Sequence, residues 1–195
     1  MCFVGLAGIA ASVLSINPSV ATPINGAATG LAAPDINIDF DAGALSDGTV
    51  VTTQFAGVTF GTNFEINSGG AVAQNMLSRF LGDGNGAGPG SILLDNDAGA
   101  VGFFFRTNAT TTTFTALLDG VLVESFAAST NLTNTSNFYG FTDIIFDEIQ
   151  ISVAAGGYNL DHFQFNDAHI SEPGSLAVFG LGLVGLGALR RRRKI

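Results

Sequence analysis

Acidic pairs and two histidines are the side chains of this sequence that could carry out acid–base chemistry. The acidic pairs are Asp39 with Asp41, Asp95 with Asp97, and Asp147 with Glu148. A glycoside hydrolase uses two carboxylates, but acids at such spacing on strands usually form a solvated face. His162 and His169 have no nucleophile motif and no metal-spaced histidine partner. The sequence therefore favours a protein that is not an enzyme.

A glycine-rich acidic loop offers oxygen atoms to a hard cation. The stretch GDGNGAGPG and the later DND supply five such side chains, which are Asp83, Asn85, Asp95, Asn96 and Asp97. Ca²⁺ is bound in proteins by carboxylate and amide oxygens of this kind. The spacing matches neither an EF-hand nor an RTX repeat, and turn capping or surface solubility explains the same acids. Calcium binding by this loop is left open.

The charge of the chain is divided unevenly between its body and its last residues. The terminal cations are Arg190, Arg191, Arg192, Arg193 and Lys194. Everything before them has two cations and 16 acids, a formal charge of −14. Phosphate backbones repel such a body, which makes nucleic acid a poor partner.

The N-terminal stretch Cys2–Ile16 is apolar and is followed by Ser19-Val20-Ala21. Small residues at Ser19 and Ala21 are typical of a signal-peptidase site, so we predict a signal helix over 1–21 with cleavage after Ala21. The usual preceding positive charge is missing, which leaves a start codon placed too late, or a buried helix, as alternatives. Cys2 is the only cysteine, so we expect no disulfide or thiol chemistry in the mature body.

Near the C-terminus, a short apolar segment lies between an acid–proline pair and the basic cluster. Gly174–Leu189 has 16 residues, about 24 Å as a helix, which is short for the roughly 30 Å hydrocarbon core of a membrane. The cations after it predict a cytoplasmic stop signal, with the acidic body outside. We predict a short transmembrane helix over 174–189. The alternative is that this helix serves only as an ordinary single-span anchor.

Together, Glu172-Pro173, the Gly/Leu-rich segment and the Arg cluster resemble the PEP-CTERM sorting signal of Gram-negative exopolysaccharide producers. The chain has Ser171-Glu172-Pro173 where that signal usually has Pro-Glu-Pro. The resemblance implies a sorting region over 168–195 and recognition at Glu172-Pro173 by a membrane-embedded exosortase. It also implies anchoring in the inner membrane during transit, before a final place on the outer surface or outside the cell.

Between the two ends, the residue pattern predicts strands. In INIDFD the apolar Ile36, Ile38 and Phe40 alternate with polar residues, as in a half-buried strand. Asp119-Gly120 between two apolar runs predicts a tight hairpin turn, because glycine adopts positive φ at no cost. The sequence predicts an all-β antiparallel sandwich over 35–167, preceded by a small, Pro-punctuated linker over 22–34.

The last strand pattern, YNLDHFQF, contains His162. Simple alternation places Tyr158, Leu160 and Gln164 on the same face as His162, with Phe163 and Phe165 opposite. We interpret His162 as a rim residue.

Strand patterns follow one another along the chain as GVTFG, VGFFF, LLDGVLVESF, FYGFTDIIFDEIQISV and NLDHFQF. Their order resembles the jelly-roll-like bodies that PEP-CTERM proteins often carry, which are similar to galactose-binding and carbohydrate-binding modules. That resemblance implies a jelly-roll-like fold and a structural calcium between the first and last strands. Asp39, Asp41 and Asp161 lie on such strands here. We expect no other cofactor.

Three functions from different classes remain. A sorted surface or matrix protein associated with exopolysaccharide or biofilm is the first interpretation, because every specific motif concerns export. A carbohydrate-binding module is the second, although the chain has no Trp and only two tyrosines, Tyr139 and Tyr158, as candidate polysaccharide platforms. A glycoside hydrolase is the third and the weakest.

Overall fold

The computed structural model describes residues 21–41, 45–69, 79–83, 89–108 and 110–168, and the regular structure in them is β-strand. Its strands are β1 Thr22–Ala27, β2 Ile36–Ile38, β3 Val58–Phe60, β4 Phe64–Ser68, β5 Arg79–Asp83, β6 Gly90–Thr107, β7 Thr110–Leu118, β8 Val121–Thr130, β9 Phe138–Val153 and β10 Tyr158–Asp167. The all-β prediction is confirmed for this part of the chain. Within the same ranges, no helix is long and apolar enough to cross a membrane.

Two long antiparallel strands join the layers of the sandwich. β6 and β9 pair from Gly90↔Ile151 to Phe104↔Phe138, with register shifts between Leu93 and Ala100. In one layer, the first part of β6, up to Leu94, lies between β3 and β9, and β7 and then β8 follow beyond β9. In the other layer, the part of β6 from Ala98 onward lies between β10 and β9. There β5 and β2 pair with β10, and β1 pairs with β9. The β6/β9 pair therefore bends from one layer into the other.

Phenylalanine rings fill the space between the layers. Phe103 of β6 lies 5.7 Å from Phe114 of β7 and 5.9 Å from Phe163 of β10, measured between ring centroids. Phe60 of β3 lies 5.7 Å from Phe163. Aromatic pairs at such distances add about 0.5–1.5 kcal/mol each beyond the burial of their area. A body with no cysteine is thus stabilised by ring packing.

The predicted Asp119-Gly120 turn is confirmed. It joins β7 to β8, and its two residues have positive φ of 52° and 75°, as a two-residue type I′ turn requires. The strand predicted around Ile38 is also confirmed as β2. It stops at Ile38, and Phe40 beyond it has a φ of 57°, which is incompatible with extended pairing.

The linker predicted over 22–34 is wrong for its first six residues. Thr22–Ala27 forms β1, which pairs with β9 from Thr22↔Thr142 to Ala27↔Phe138. Pro23 is tolerated because β1 is an edge strand of its layer. Small residues and a proline conceal this strand from a local pattern, since its partner lies far along the chain.

The simple alternation predicted for β10 is also wrong. The residues of β10 buried in the main core are Tyr158, Leu160, Phe163 and Phe165. The register of β10 on β6 shifts between Asp161 and Gln164, and His162 has a φ of 47°. A bulge inserts a residue and so reverses the phase of the side chains. Both halves of β10 therefore face the core, with Asp161 fully buried and His162 half-buried between them.

Candidate functional site

A cavity of about 220 Å³ opens at the end of the sandwich where β6 finishes and β10 begins. Its side chains are those of Asp83, Arg106, Thr107, Asn108, Leu132, Tyr158 and Asn159, and Gly157 adds backbone. We call it the Arg106 cavity. Its walls are mostly polar or charged, so they supply both donors and acceptors of hydrogen bonds.

Arg106 is positioned by Asn159, its cross-strand neighbour on β10. With its amide oxygen turned toward the guanidinium, Asn159 accepts hydrogen bonds from Nε and Nη2 of Arg106, each at 3.0 Å, and donates to the Tyr158 carbonyl at 3.0 Å. Arg106 is only 6% exposed, and burial lowers the pKa of its guanidinium. Because arginine remains protonated in proteins, the cavity contains a fixed positive charge.

Asp83, at the end of β5, forms another wall of the Arg106 cavity. Its Oδ1 accepts the Tyr158 N–H at 3.2 Å. Burial raises the pKa of Asp83 and the charge of Glu65 adds to this, while the backbone hydrogen bond from Tyr158 acts in the opposite direction. The cavity therefore presents a partly buried carboxyl group beside a fixed guanidinium.

The sequence pattern did not single out Arg106 or Asn159. Arg106 had one usable signal, since it directly follows three phenylalanines and is one of two cations before residue 190. A cation at the end of a buried run needs hydrogen-bond partners. Asn159 had no such signal, because only the register of β10 on β6 places it opposite Arg106.

A second cavity, of about 330 Å³, lies against β10 at its bulge. It is lined by Gly30, Leu31, Asn37, Phe138, His162 and Gln164, together with Ala28 and Thr29. We call it the His162 cavity. Gln164 Oε1 accepts the Leu31 N–H at 2.8 Å, and a Cβ at Gly30 would collide with Gln164 and Phe138. The segment 28–31 is thus fixed as one wall.

His162 is half-buried and lines the His162 cavity. Its ring lies 6.5 Å from the Phe138 ring, measured between centroids. Burial lowers the pKa of His162, and the charges of Asp39 and Asp41 oppose that shift. The neutral imidazole is therefore favoured despite two nearby carboxylates.

The residues proposed for a structural calcium lie in this region. Asp39 and Asp41 are close enough to His162 to influence its pKa, and Asp161 is the residue before it. Asp161 Oδ1 accepts the His162 N–H at 2.7 Å, and Asp41 Oδ1 accepts the Arg79 N–H at 2.9 Å.

Across the described ranges, no three acidic or histidine side chains are grouped so that they could hold a metal ion. The calcium hypothesis stays a prediction, and an unchanged melting temperature in millimolar calcium would contradict it. In the alternative loop, Asp95, Asn96 and Asp97 are exposed, and Asn85 is outside the described residues.

The predicted sorting residues lie outside the described residues. These are Glu172 and Pro173, the stop signal Arg190–Lys194, and the transmembrane helix over 174–189. The signal helix over 1–21 is also outside them, except for Ala21. Ala21 is partly buried and packs against the core. Cleavage after Ala21 therefore stays a prediction.

The described residues form an antiparallel β-sandwich, and a known sorting sequence follows it. The model of the PEP-CTERM protein-sorting motif matches residues 169–193. The chain therefore carries this motif, as the sequence resemblance predicted. The motif implies that the protein is exported and sorted by an exosortase, with membrane-anchored transit.

Among curated proteins, no sequence matches this chain. Solved structures that match this chain include CsCBM6-3 from Clostridium stercorarium in complex with cellobiose, at 20% identity and a TM-score of 0.37, covering 64% of this chain and 95% of that one. Another is the C-terminal family 22 carbohydrate-binding module of Clostridium thermocellum Xyn10B, at 13% identity and a TM-score of 0.39, covering 71% and 97%. Likeness at this level assigns no ligand to this chain.

Proposed function

We propose that this protein is an exported, non-enzymatic surface or extracellular-matrix protein that an exosortase processes at Glu172-Pro173. The observation that carries the proposal is the sorting motif at 169–193, directly after a β-sandwich whose last described residue is Ala168. Processing there separates the acidic sandwich from the apolar segment and the cationic tail. Association with exopolysaccharide or biofilm is part of this proposal.

The hydrogen bonds of the acidic pair on β9 support a non-catalytic body. Asp147 accepts the Asp119 N–H at 3.2 and 3.1 Å, and so anchors the β7–β8 turn. Glu148 Oε1 accepts from Ser91 Oγ at 2.6 Å and from Gln150 Nε2 at 2.9 Å. These carboxylates thus have structural roles at the surface of the sheet.

Carbohydrate binding is a second candidate, supported by the Arg106 cavity. A sugar presents several hydroxyl groups, each of which donates and accepts, and this cavity has an amide, a guanidinium and a carboxyl group on neighbouring strands. Both tyrosines are core residues, at 2% and 5% exposure, so they provide no stacking platform. A glycan array with the processed protein tests this candidate. Binding that is lost in N159A supports it, and the absence of binding to any glycan removes it.

The sorting proposal is tested by substituting its two short elements. We expect the double substitution Glu172→Ala and Pro173→Ala, or replacement of Arg190–Lys194 by serine, to block processing in an exosortase-containing host. Glu124→Ala, an acid on β8, is the matched control and should be processed normally. If both test variants are processed to the wild-type mass, the proposal fails and a plain anchor or adventitious proteolysis replaces it.

A further inference from the structure

The start of β1 and the end of β10 lie in one row of paired residues across a single layer of the sandwich. Thr22 of β1 pairs with Thr142 of β9, Thr142 pairs with Ala100 of β6, and Ala100 pairs with Asn166 of β10. Because the strands alternate in direction, β1 begins at this row and β10 ends at it. Three strand spacings of about 4.8 Å separate Thr22 from Asn166, or about 14 Å. The chain thus enters and leaves the sandwich at the same end.

The exit of the chain is fixed to this end by hydrogen bonds. The Ala168 N–H donates to the Asp97 carbonyl at 2.8 Å. The Asn166 Oδ1 accepts the Asp35 N–H at 2.8 Å. The folded body therefore holds the chain as far as Ala168.

Very little chain separates this fixed point from the sorting motif. Six Cα–Cα steps lead from Ala168 to Gly174, where the apolar segment begins, and at about 3.6 Å each they span at most about 22 Å. We call the residues between Ala168 and the apolar segment the tether. A folded sandwich on such a short tether cannot turn its opposite end toward the membrane. The Arg106 cavity, where Tyr158 pairs with Thr107, is eight residues back along β10, or about 25 Å.

The end of the sandwich where the chain enters and leaves carries exposed acids, which are Asp35, Asp97, Asp143 and Asp167. Carboxylates repel anionic lipid headgroups at distances within a Debye length, about 10 Å at moderate salt. Contact of this end with an anionic membrane is therefore unfavourable in itself. It persists only while the tether is intact, and cleavage of the tether favours departure of the body.

We propose that, during transit, the end of the sandwich marked by Thr22, Thr142, Asn166 and Ala168 faces the lipid headgroups of the membrane, and the Arg106 cavity faces away from it. This orientation rests on the proposed sorting function, because it requires the apolar segment 174–189 to be inserted. Cleavage at Glu172-Pro173 then releases an acidic body that does not rebind the lipid surface.

The test compares a probe at each end of the chain that begins at Thr22, the predicted mature N-terminus. This chain contains no natural thiol, and Asp97→Cys or Ala155→Cys attaches one fluorophore near the membrane or far from it. The proteins are reconstituted into phosphatidylcholine/phosphatidylglycerol vesicles that contain headgroup spin-labelled lipid. We expect several-fold stronger quenching at position 97 than at position 155.

Two inserted spacers provide a matched control. A Gly/Ser spacer after Ala168 should lower the quenching at position 97 toward the value at position 155, because it lengthens the tether. The same spacer between Ala155 and Gly156 should change nothing at position 97. Equal quenching at the two positions without a spacer, or failure of the chain to float with the vesicles, overturns the proposal. Failure of the sorting function itself appears separately, as unprocessed protein in an exosortase-containing host.

Discussion

Asn159 accepts two hydrogen bonds from Arg106, from Nε and from Nη2, both at 3.0 Å. Since Arg106 is almost fully buried, loss of this acceptor removes two hydrogen bonds from a charged group. We expect Asn159→Ala to lower the free energy of unfolding by about 2 kcal/mol, as for other hydrogen bonds to charged groups. Asn108→Ala, at an exposed neighbour in the same cavity, should cost less than about 0.5 kcal/mol. Urea unfolding measures both, and equal losses would contradict the role given to Asn159.

Gly140 lies in β9 with a φ of 156°, and a Cβ there would collide with the Val101 carbonyl of β6. We expect Gly140→Ala to cost about 3 kcal/mol or more, because a backbone clash cannot be relieved by a rotamer change. Gly120→Ala is the control. Gly120 also has a positive φ, 75°, but its Cβ would meet nothing within 4 Å, so only the conformational cost of about 1 kcal/mol remains. Similar melting temperatures for the two variants would show that β6 and β9 approach less closely.

Protonation of His162 makes the free energy of unfolding depend on pH, and the direction of its pKa shift fixes the direction of that dependence. Burial lowers its pKa below the ordinary value of 6.5, so the unfolded chain binds the proton more readily than the folded one. The free energy of unfolding therefore falls as the pH drops below about 6.5 toward the folded-state pKa. Asp39 and Asp41 limit this loss.

The measurement for His162 is the change in melting temperature between pH 7.5 and 5.0 in wild type and in His162→Asn. Asparagine tolerates the positive φ at this position and does not titrate. We expect the wild type to lose more than the variant does, whereas parallel losses would assign the pH dependence to other groups.

The sequence was most informative where structure is local. The Asp119-Gly120 turn depends on two residues and their φ values, and it was predicted correctly. β1 could not be found in this way, because Thr22–Ala27 becomes a strand only by pairing with β9. The bulge at His162 likewise depends on how β10 aligns on β6, which no alternation of apolar residues reveals.

The candidate site was less predictable than the fold for the same reason. Asp39, Asp41 and His162 were each singled out by residue type, and the structure places both aspartates near enough to His162 to influence its pKa. Arg106 and Asn159 come together through strand register alone. The PEP-CTERM motif was recognisable because its parts are contiguous in sequence.

The N-terminus of the exported protein tests the other processing prediction. Signal cleavage after Ala21 would leave Thr22, the first residue of β1, as the new terminus. We expect N-terminal sequencing of the exported protein to begin at Thr22. A sequence that still begins at Met1 would contradict cleavage and favour a retained N-terminal segment.

The intact mass of the protein, recovered from an exosortase-containing host and from the same host without the exosortase, is the most direct test of sorting. We expect the first mass to correspond to a chain that ends near Glu172-Pro173 and lacks the apolar segment and Arg190–Lys194. The second should retain the C-terminus as far as Ile195. Retention of Ile195 in both hosts, or the same shortened mass in both, would contradict processing by an exosortase.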